Sequence, residues 1–406
     1  MTDIQAESRP RATVDLDHHS PEFRDDPLGK FRQMRESGCP VAHSDHYEGF
    51  WALTDYASVF EAARDDALFN SYPSVGVPAS ELPLPILPIE SDPPETQQLR
   101  EVTLKRFSPG SAERFRDAAI EMTNEAIDAF IERGHCDLVT ELTTPLPARL
   151  ILRLLNFDES RAMDWVHWVH SVVHDRASDP EKAGISGMEM FGEIVKHMEQ
   201  RRAEGLGDDL FSDILRGQVD GKPLDDGQIT MYTVLMMLGG MDTTSGFTGN
   251  VLRRLCEDTE LRKKFIDDPS LIKKSTDELL RLYTPTLGLA RTVSRDAEFH
   301  GQQLCQGDRA ILMWAGANRD PAMFENPNAL DLDRPNAKKH MAFGIGMHRC
   351  LGSHYAKMMF DVLVTQILKR LPDFELDGEP KFFEDAGEVY AVRQLPVKFT
   401  PGPRAS

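Results

Sequence analysis

Cysteine is scarce: the 406 residues hold five, at positions 39, 136, 256, 305 and 350, an odd set without close pairs. Such spacing excludes a dense disulfide framework and fits a reducing cytoplasm. Long apolar runs are also missing. The longest, roughly Met231 to Met241, is about half of the ~20 residues a membrane span needs. Basic residues are the minority charge, 46 against 66 acidic ones, for a formal net charge of −20. That balance argues against non-specific binding to nucleic acid or to an anionic membrane. There is no internal repeat, long flexible linker, Ser-His-Asp signature or phosphate-cradling Gly-rich loop. Met1 to Ser20 is polar and lacks the apolar core of a secretion signal. The expectation is a mobile tail over residues 1–20, with His18 and His19 in it, and a single domain over 21–406.

What is present is an ordinary globular composition, 40% hydrophobic and 28% charged, dominated by helical periodicity. Helix-like patterns cover 94–107, 110–133, 140–155, 158–174, 186–204, 226–256, 260–283 and 350–371, the last starting at Cys350 itself. Strand-like pieces are short: one near Tyr47–Tyr56 and later ones at 291–299, 308–314 and 389–399. Prolines at 73, 78, 83, 85 and 88 break the segment 72–91 into an apolar loop. The fold class is mainly α with small β-sheets.

The most informative segment is Phe343-Gly344-Ile345-Gly346-Met347-His348-Arg349-Cys350-Leu351-Gly352. Glycines let backbone pass close to a flat object. A thiolate among them, with backbone N–H groups aimed at its sulfur, is a plausible axial ligand for haem iron. The spacing Phe-Gly-x-Gly-x-His-x-Cys-x-Gly resembles the haem-binding loop of the cytochrome P450 family at every fixed position. A second segment, Leu238-Gly239-Gly240-Met241-Asp242-Thr243, sits in the middle of the longest helix pattern. Two interior glycines cost about 2 kcal/mol relative to alanine, so they need a reason. Close helix packing is one; room for a flat cofactor and a small bound ligand is another. Residues 239–243 match the family's oxygen-binding motif, Ala/Gly-Gly-x-Asp/Glu-Thr.

The resemblance implies a cytochrome P450 fold, with haem b held between a long central helix and the Cys-bearing loop. Cys350 is then the iron ligand, and Phe343, Gly344, Gly239 and Gly240 border the haem. Asp242 and Thr243 act as proton donor and hydroxyl relay. Arg100, Arg291 and His348 stand where the family draws partners for the haem propionates. Glu278 and Arg281 match its Glu-x-x-Arg motif, with Arg334 as the third, bracing member, and the stretch from Ala317 to Pro327 resembles the one that precedes it. The chain departs from many members at Thr96, where His is common, and at Gln98, where a basic residue is common. Camphor-hydroxylating relatives also lack that His, and Gly217–Gly221 is similar to theirs. The implied reaction inserts one oxygen atom of O2 into a C–H bond.

No flavin or nicotinamide domain is present, so the resemblance to soluble bacterial members implies electrons from NAD(P)H through a reductase and an iron–sulfur ferredoxin. Between Arg334 and Lys357 the chain carries Arg334, Lys338, Lys339, Arg349 and Lys357 and no acidic residue. That stretch reads either as solvated charge or as a docking face near Arg349 and Arg106. Leu84, Ile86, Leu235, Leu238, Leu287 and Val389 fall at family substrate-contact registers and suit a small to medium apolar compound, a terpenoid or alkyl-aromatic. A peroxide-driven peroxygenase and a non-catalytic haem sensor are the other function classes. His167, His170 and His174 share one helix face, as a packed stripe or a zinc site.

Overall fold

The computed structural model describes residues 11–405 except 81, 83 and 177. The central helix, Asp226–Glu257, runs 32 residues, or ~48 Å. Its start is fixed by a capping box: the Gln228 N–H donates to Asp225 Oδ1 (2.8 Å), and the Asp225 N–H donates to Gln228 Oε1 (3.0 Å). Helices Pro145–Leu155, Ala162–His174, Pro180–Glu204 and Ser353–Arg370 pack along it and share one large apolar core with it. Among the described residues no helix is long and apolar enough to cross a membrane.

A five-stranded sheet stands to one side, in the order Val41–Ser44, Phe50–Leu53, Arg309–Leu312, Leu289–Val293, Phe69–Asn70. Only the pairing of Phe50–Leu53 with Arg309–Leu312 is parallel. Alternation along these strands is plain: Trp51, Leu53, Ala310 and Leu312 enter one sub-core, while Phe50, Ala52 and Ile311 enter another. Both faces are therefore buried, and Phe50–Leu53 reads as a continuous apolar run rather than as an alternation with polar residues. The mainly α architecture with small sheets is the one the sequence predicts.

Three local expectations change. The helix after the cysteine begins at Ser353, not at Cys350; Cys350 closes the loop instead, its N–H donating to the Phe343 carbonyl at 2.8 Å. The helix expected at 186–204 begins at Pro180, where Asp179 accepts from the Lys182 N–H. The tail expected to be mobile is packed from residue 11 onward; residues 1–10 lie outside the described residues. Leu16 and His18 are buried, Thr13 bridges to His43, and His18 Nε2 lies 2.9 Å from the Val77 carbonyl oxygen. His19 Nδ1 meets Asp385 Oδ1 at 2.8 Å. Partners 59 and 366 residues away, Val77 and Asp385, are what a local reading misses.

The two central glycines turn out to have different reasons. A Cβ on Gly240 would lie 3.1 Å from Ile151 Cγ1, whereas a Cβ on Gly239 would meet nothing within 4 Å. Gly240 permits close helix packing, and Gly239 faces open space. Gly240→Val is therefore expected to cost about 1–3 kcal/mol through overpacking. Gly239→Ala should leave stability unchanged or raise it by up to ~1 kcal/mol. Urea denaturation of the two variants tests this; equal losses would contradict the division of roles.

Candidate active site

The cysteine loop is shaped by its glycines. Gly344 and Gly346 both take left-handed φ, +61° and +72°, and a Cβ at Gly346 would come within 2.4 Å of the Ala63 carbonyl oxygen. No other residue fits there without moving the backbone. Cys350 is exposed, so its sulfur is available to a ligand. Nearby protein nevertheless pushes the thiol pKa up by desolvation, and the N–H groups of Gly352 and Ser353, with Arg100 and Arg349, pull against that. Those donors suit a thiolate, which is the form that ligates metal.

The central helix offers a matching opening. From Ile229 to Leu252 every residue is buried except Leu235, Leu238, Gly239, Gly240 and Thr243. Leu235, Gly239 and Thr243 are spaced by four, so they form one stripe. The Thr243 hydroxyl donates to the Gly239 carbonyl at 3.0 Å, which leaves its oxygen free to accept. Leu235 and Leu238 from this helix, and Phe343 and Leu351 from the cysteine loop, border the same core.

Asp242 points elsewhere. It is buried, with Oδ2 2.8 Å from His174 Nε2 and Oδ1 3.5 Å from His170 Nε2. Burial would push this carboxyl up, but the charge of His174 and the bond to His170 outweigh it and hold it well below the usual carboxylate range. The histidine stripe thus divides: His170 and His174 turn to Asp242, and His167 faces solvent. Their spacing showed a shared face, but no local signal joins positions 68 residues apart.

Three basic groups converge near the cysteine. Arg100 donates to the Arg349 carbonyl at 2.6 Å, and buried Arg291 donates only to the neighbouring Ala290 carbonyl at 2.8 Å. Burial pushes Arg291 down to about 10, with Asp66 and Asp92 opposing. His348 Nε2 lies 2.9 Å from Ser71 Oγ, and burial, then Arg291 and Arg100, push it down to about 3. That favours the neutral imidazole, which would meet a propionate through a hydrogen bond rather than as a cation. None of the three bonds a carboxylate among the described residues. Buried Arg291 and half-buried Arg100, neither bonded to a carboxylate, fit a dianionic ligand, as haem's two propionates require. Sulfur, donors, clear helix face and unmatched cations all fit haem.

Behind the loop, Glu278 accepts from Arg281 Nε (2.7 Å) and Nη2 (2.9 Å), from Arg334 Nε (3.0 Å) and from the Asp331 N–H (3.1 Å). Arg281 also donates to the carbonyls of Asn318 (2.8 Å) and Pro327 (2.7 Å). Burial raises the Glu278 pKa, yet the Arg281 bonds and the Asp331 N–H bring it below its ordinary value. All three expected members are together and internal.

Other expectations fare unevenly. Leu84 lies against Gly227, at the start of the central helix, and is 42% exposed. Ile86 is partly buried, its N–H held by Glu90 at 2.7 Å. Val389 packs near Gly246, just past Thr243. Leu287 is buried in the sub-core with Val77 and Met313, not on the open stripe. On the cysteine side, Lys338, Lys339 and Arg349 are exposed. Arg334 is internal, Lys357 bonds Asp277, and Arg106 is matched by Asp208 (2.5 Å) and Asp213 (2.6 Å). The expected positive stretch is smaller than its residue count.

Such a site defines a haem-thiolate class of protein, and comparison with known proteins agrees. The cytochrome P450 family model matches residues 151–399. A steroid C26-monooxygenase of Mycobacterium tuberculosis is 30% identical over 365 residues, covering 87% of this chain and 96% of that one. Mycobacterium marinum CYP268A2, solved with pseudoionone, superposes with a TM-score of 0.86 at 26% identity, over 97% of this chain and 100% of the other. CYP108D1 from Novosphingobium aromaticivorans gives 0.83 at 27% identity, over 94% and 97%. The chain belongs to the cytochrome P450 family, haem proteins that use O2.

Removing one partner of a buried ion network leaves the others uncompensated. Glu278→Gln strands two internal guanidinium groups and is expected to lose about 3–5 kcal/mol, read by chemical denaturation of the holoprotein. A loss under 1 kcal/mol, the value of an exposed pair, would contradict the brace.

Proposed function

We propose that the protein is a monooxygenase of the bacterial ferredoxin-dependent type. It combines O2, two electrons and two protons with an apolar C–H bond to give C–OH and water. The observation that carries this reading is the Cys350 sulfur, met by the Gly352 and Ser353 N–H groups, in a chain whose central helix opens at Leu235, Leu238, Gly239 and Thr243. Haem b, when bound, supplies the oxygen activation and one-electron chemistry, which thiolate ligation favours.

Each residue then has a task. Cys350 ligates, and its flanking N–H groups stabilise the anionic sulfur. Arg100, Arg291 and His348 bind the propionates, and Gly344 and Phe343 shape the loop beneath. Gly239 and Gly240 keep the helix slim, Thr243 relays a proton through its hydroxyl, and Asp242 supplies it. Glu278, Arg281 and Arg334 keep the loop in place. Leu235, Leu238, Ile86, Leu84 and Val389 exclude water and select an apolar substrate of small to medium size, a terpenoid or alkyl-aromatic. The steroid-oxidising relative and the pseudoionone-bound one support that class. Exposed Arg349, Lys338 and Lys339 receive an acidic ferredoxin, and the reaction takes place in the cytoplasm.

Reduced, CO-treated holoprotein should show the red-shifted Soret band of sulfur-ligated iron, and Cys350→Ser should abolish it. With ferredoxin, reductase and NADH, Thr243→Ala should keep the band but divert most NADH oxidation from product to hydrogen peroxide. Turnover with peroxide and none with ferredoxin would assign a peroxygenase instead.

A further inference from the structure

The surroundings of Asp242 hold a proton that the sequence motif does not reveal. His174 is buried and stacks on Phe383, with ring centroids 3.6 Å apart and planes 6° apart, so its ring orientation is fixed. Its Nδ1 lies 3.2 Å from the Asp385 carbonyl oxygen. A carbonyl oxygen only accepts, so Nδ1 carries hydrogen. Its Nε2 lies 2.8 Å from Asp242 Oδ2, a bond that exists only with a second proton between nitrogen and oxygen. With the Asp242 carboxyl held well below the usual range and His174 raised, the nitrogen owns it, and the pair stores one exchangeable proton on the residue next to Thr243. The second carboxylate oxygen faces His170 Nε2 at 3.5 Å, and the His170 side chain is 25% exposed against 4% for His174.

We propose that His174 and His170 are the proton supply of Asp242: His174 keeps a proton on the buried pair, and His170 replenishes it from solvent. The inference rests on the monooxygenase reading. The proton on His174 Nε2 passes to Asp242 Oδ2, and a turn of the carboxyl toward the opening hands it to the Thr243 hydroxyl, leaving neutral His174. His170, protonated from solvent, then gives its Nε2 proton to Asp242 Oδ1, and rotation of the carboxyl about its Cβ–Cγ bond carries that O–H to the His174 side, where it is passed to Nε2. Each cycle moves one proton inward, so two cycles meet the demand of one turnover.

The other groups facing His174 do not compete. The Asp385 carboxylate is taken by His19 Nδ1 at 2.8 Å and by the Gly387 N–H at 2.8 Å. Burial would lower the His174 pKa, but Asp242 more than offsets that and the net shift is upward. A raised folded value means that the proton persists above the ordinary pKa of 6.5 and is lost only as pH rises through the raised value. Delivery should therefore fail on the alkaline side.

The test uses histidine-15N-labelled holoprotein in its diamagnetic reduced CO form. At pH 7.5 the His174 ring should show two protonated nitrogens, reduced to one in Asp242→Asn. His174→Gln keeps a hydrogen-bond donor but no titratable proton. It should lower the yield of product per NADH about tenfold or more and remove the alkaline limb of the wild-type pH profile. His170→Gln should slow turnover and raise its solvent isotope effect, while His167→Gln, altered on the solvent side, should match wild type. A neutral His174 at pH 7.5, or unchanged coupling and pH profile in both variants with a normal reduced CO spectrum, overturns this inference alone. A wild-type protein without the red-shifted band overturns the monooxygenase reading and this inference with it.

Discussion

A helix that crosses the middle of a protein has no solvent face on which to place polar groups. Asp226–Glu257 is such a helix, and from Ile229 to Leu252 its exposure is confined to one stretch of Leu235 to Thr243. Every polar or missing side chain there needs a partner or a purpose. Thr230, Thr233 and Thr248 return their hydroxyls to carbonyls one turn back. Gly240 admits Ile151, Asp242 takes two histidines, and Gly239 with Thr243 is left facing the opening. The site is the remainder after packing has claimed everything else.

The treatment of buried charge separates scaffold from site. Around Glu278, each guanidinium meets a carboxylate and several carbonyls, so the charges are satisfied without any ligand. Around Cys350, Arg100 and Arg291 bond only backbone carbonyls among the described residues, and His348 is pushed toward the neutral form by burial first and then by their charge. A buried cation without an anion is costly. The first cluster stiffens the chain, and the second is completed by what it binds.

The substrate side is assembled from pieces distant in sequence. Glu90 holds the N–H groups of Val75 (3.0 Å) and Ile86 (2.7 Å), which orders the proline-rich loop. His19 links that loop to Asp385 through the Val77 carbonyl at 2.7 Å. Asp385 in turn offers its own carbonyl to His174. The N-terminal segment, the loop, the C-terminal turn and the helix Ala162–His174 are thereby tied to one acid on the central helix.

Much of this was legible in the chain itself. Helical periodicity announced the mainly α class, the cysteine decapeptide announced the ligand, and Glu278 with Arg281 announced the brace, because each is a local pattern with a local cause. Arg334 was reachable through its register with them. Boundaries were less legible: Cys350 closes its loop on the Phe343 carbonyl, and the helix begins three residues later. Other features were decided only by tertiary structure. They are the separate roles of Gly239 and Gly240, the neutral state of His348, the matched charge of Arg106, the burial of Leu287, and the joining of His170 and His174 to Asp242. Each depends on which distant group fills the space beside a side chain, and on how much water that group removes. Sequence specifies the chemical identity of a residue, but its charge state and its free valences belong to its neighbours.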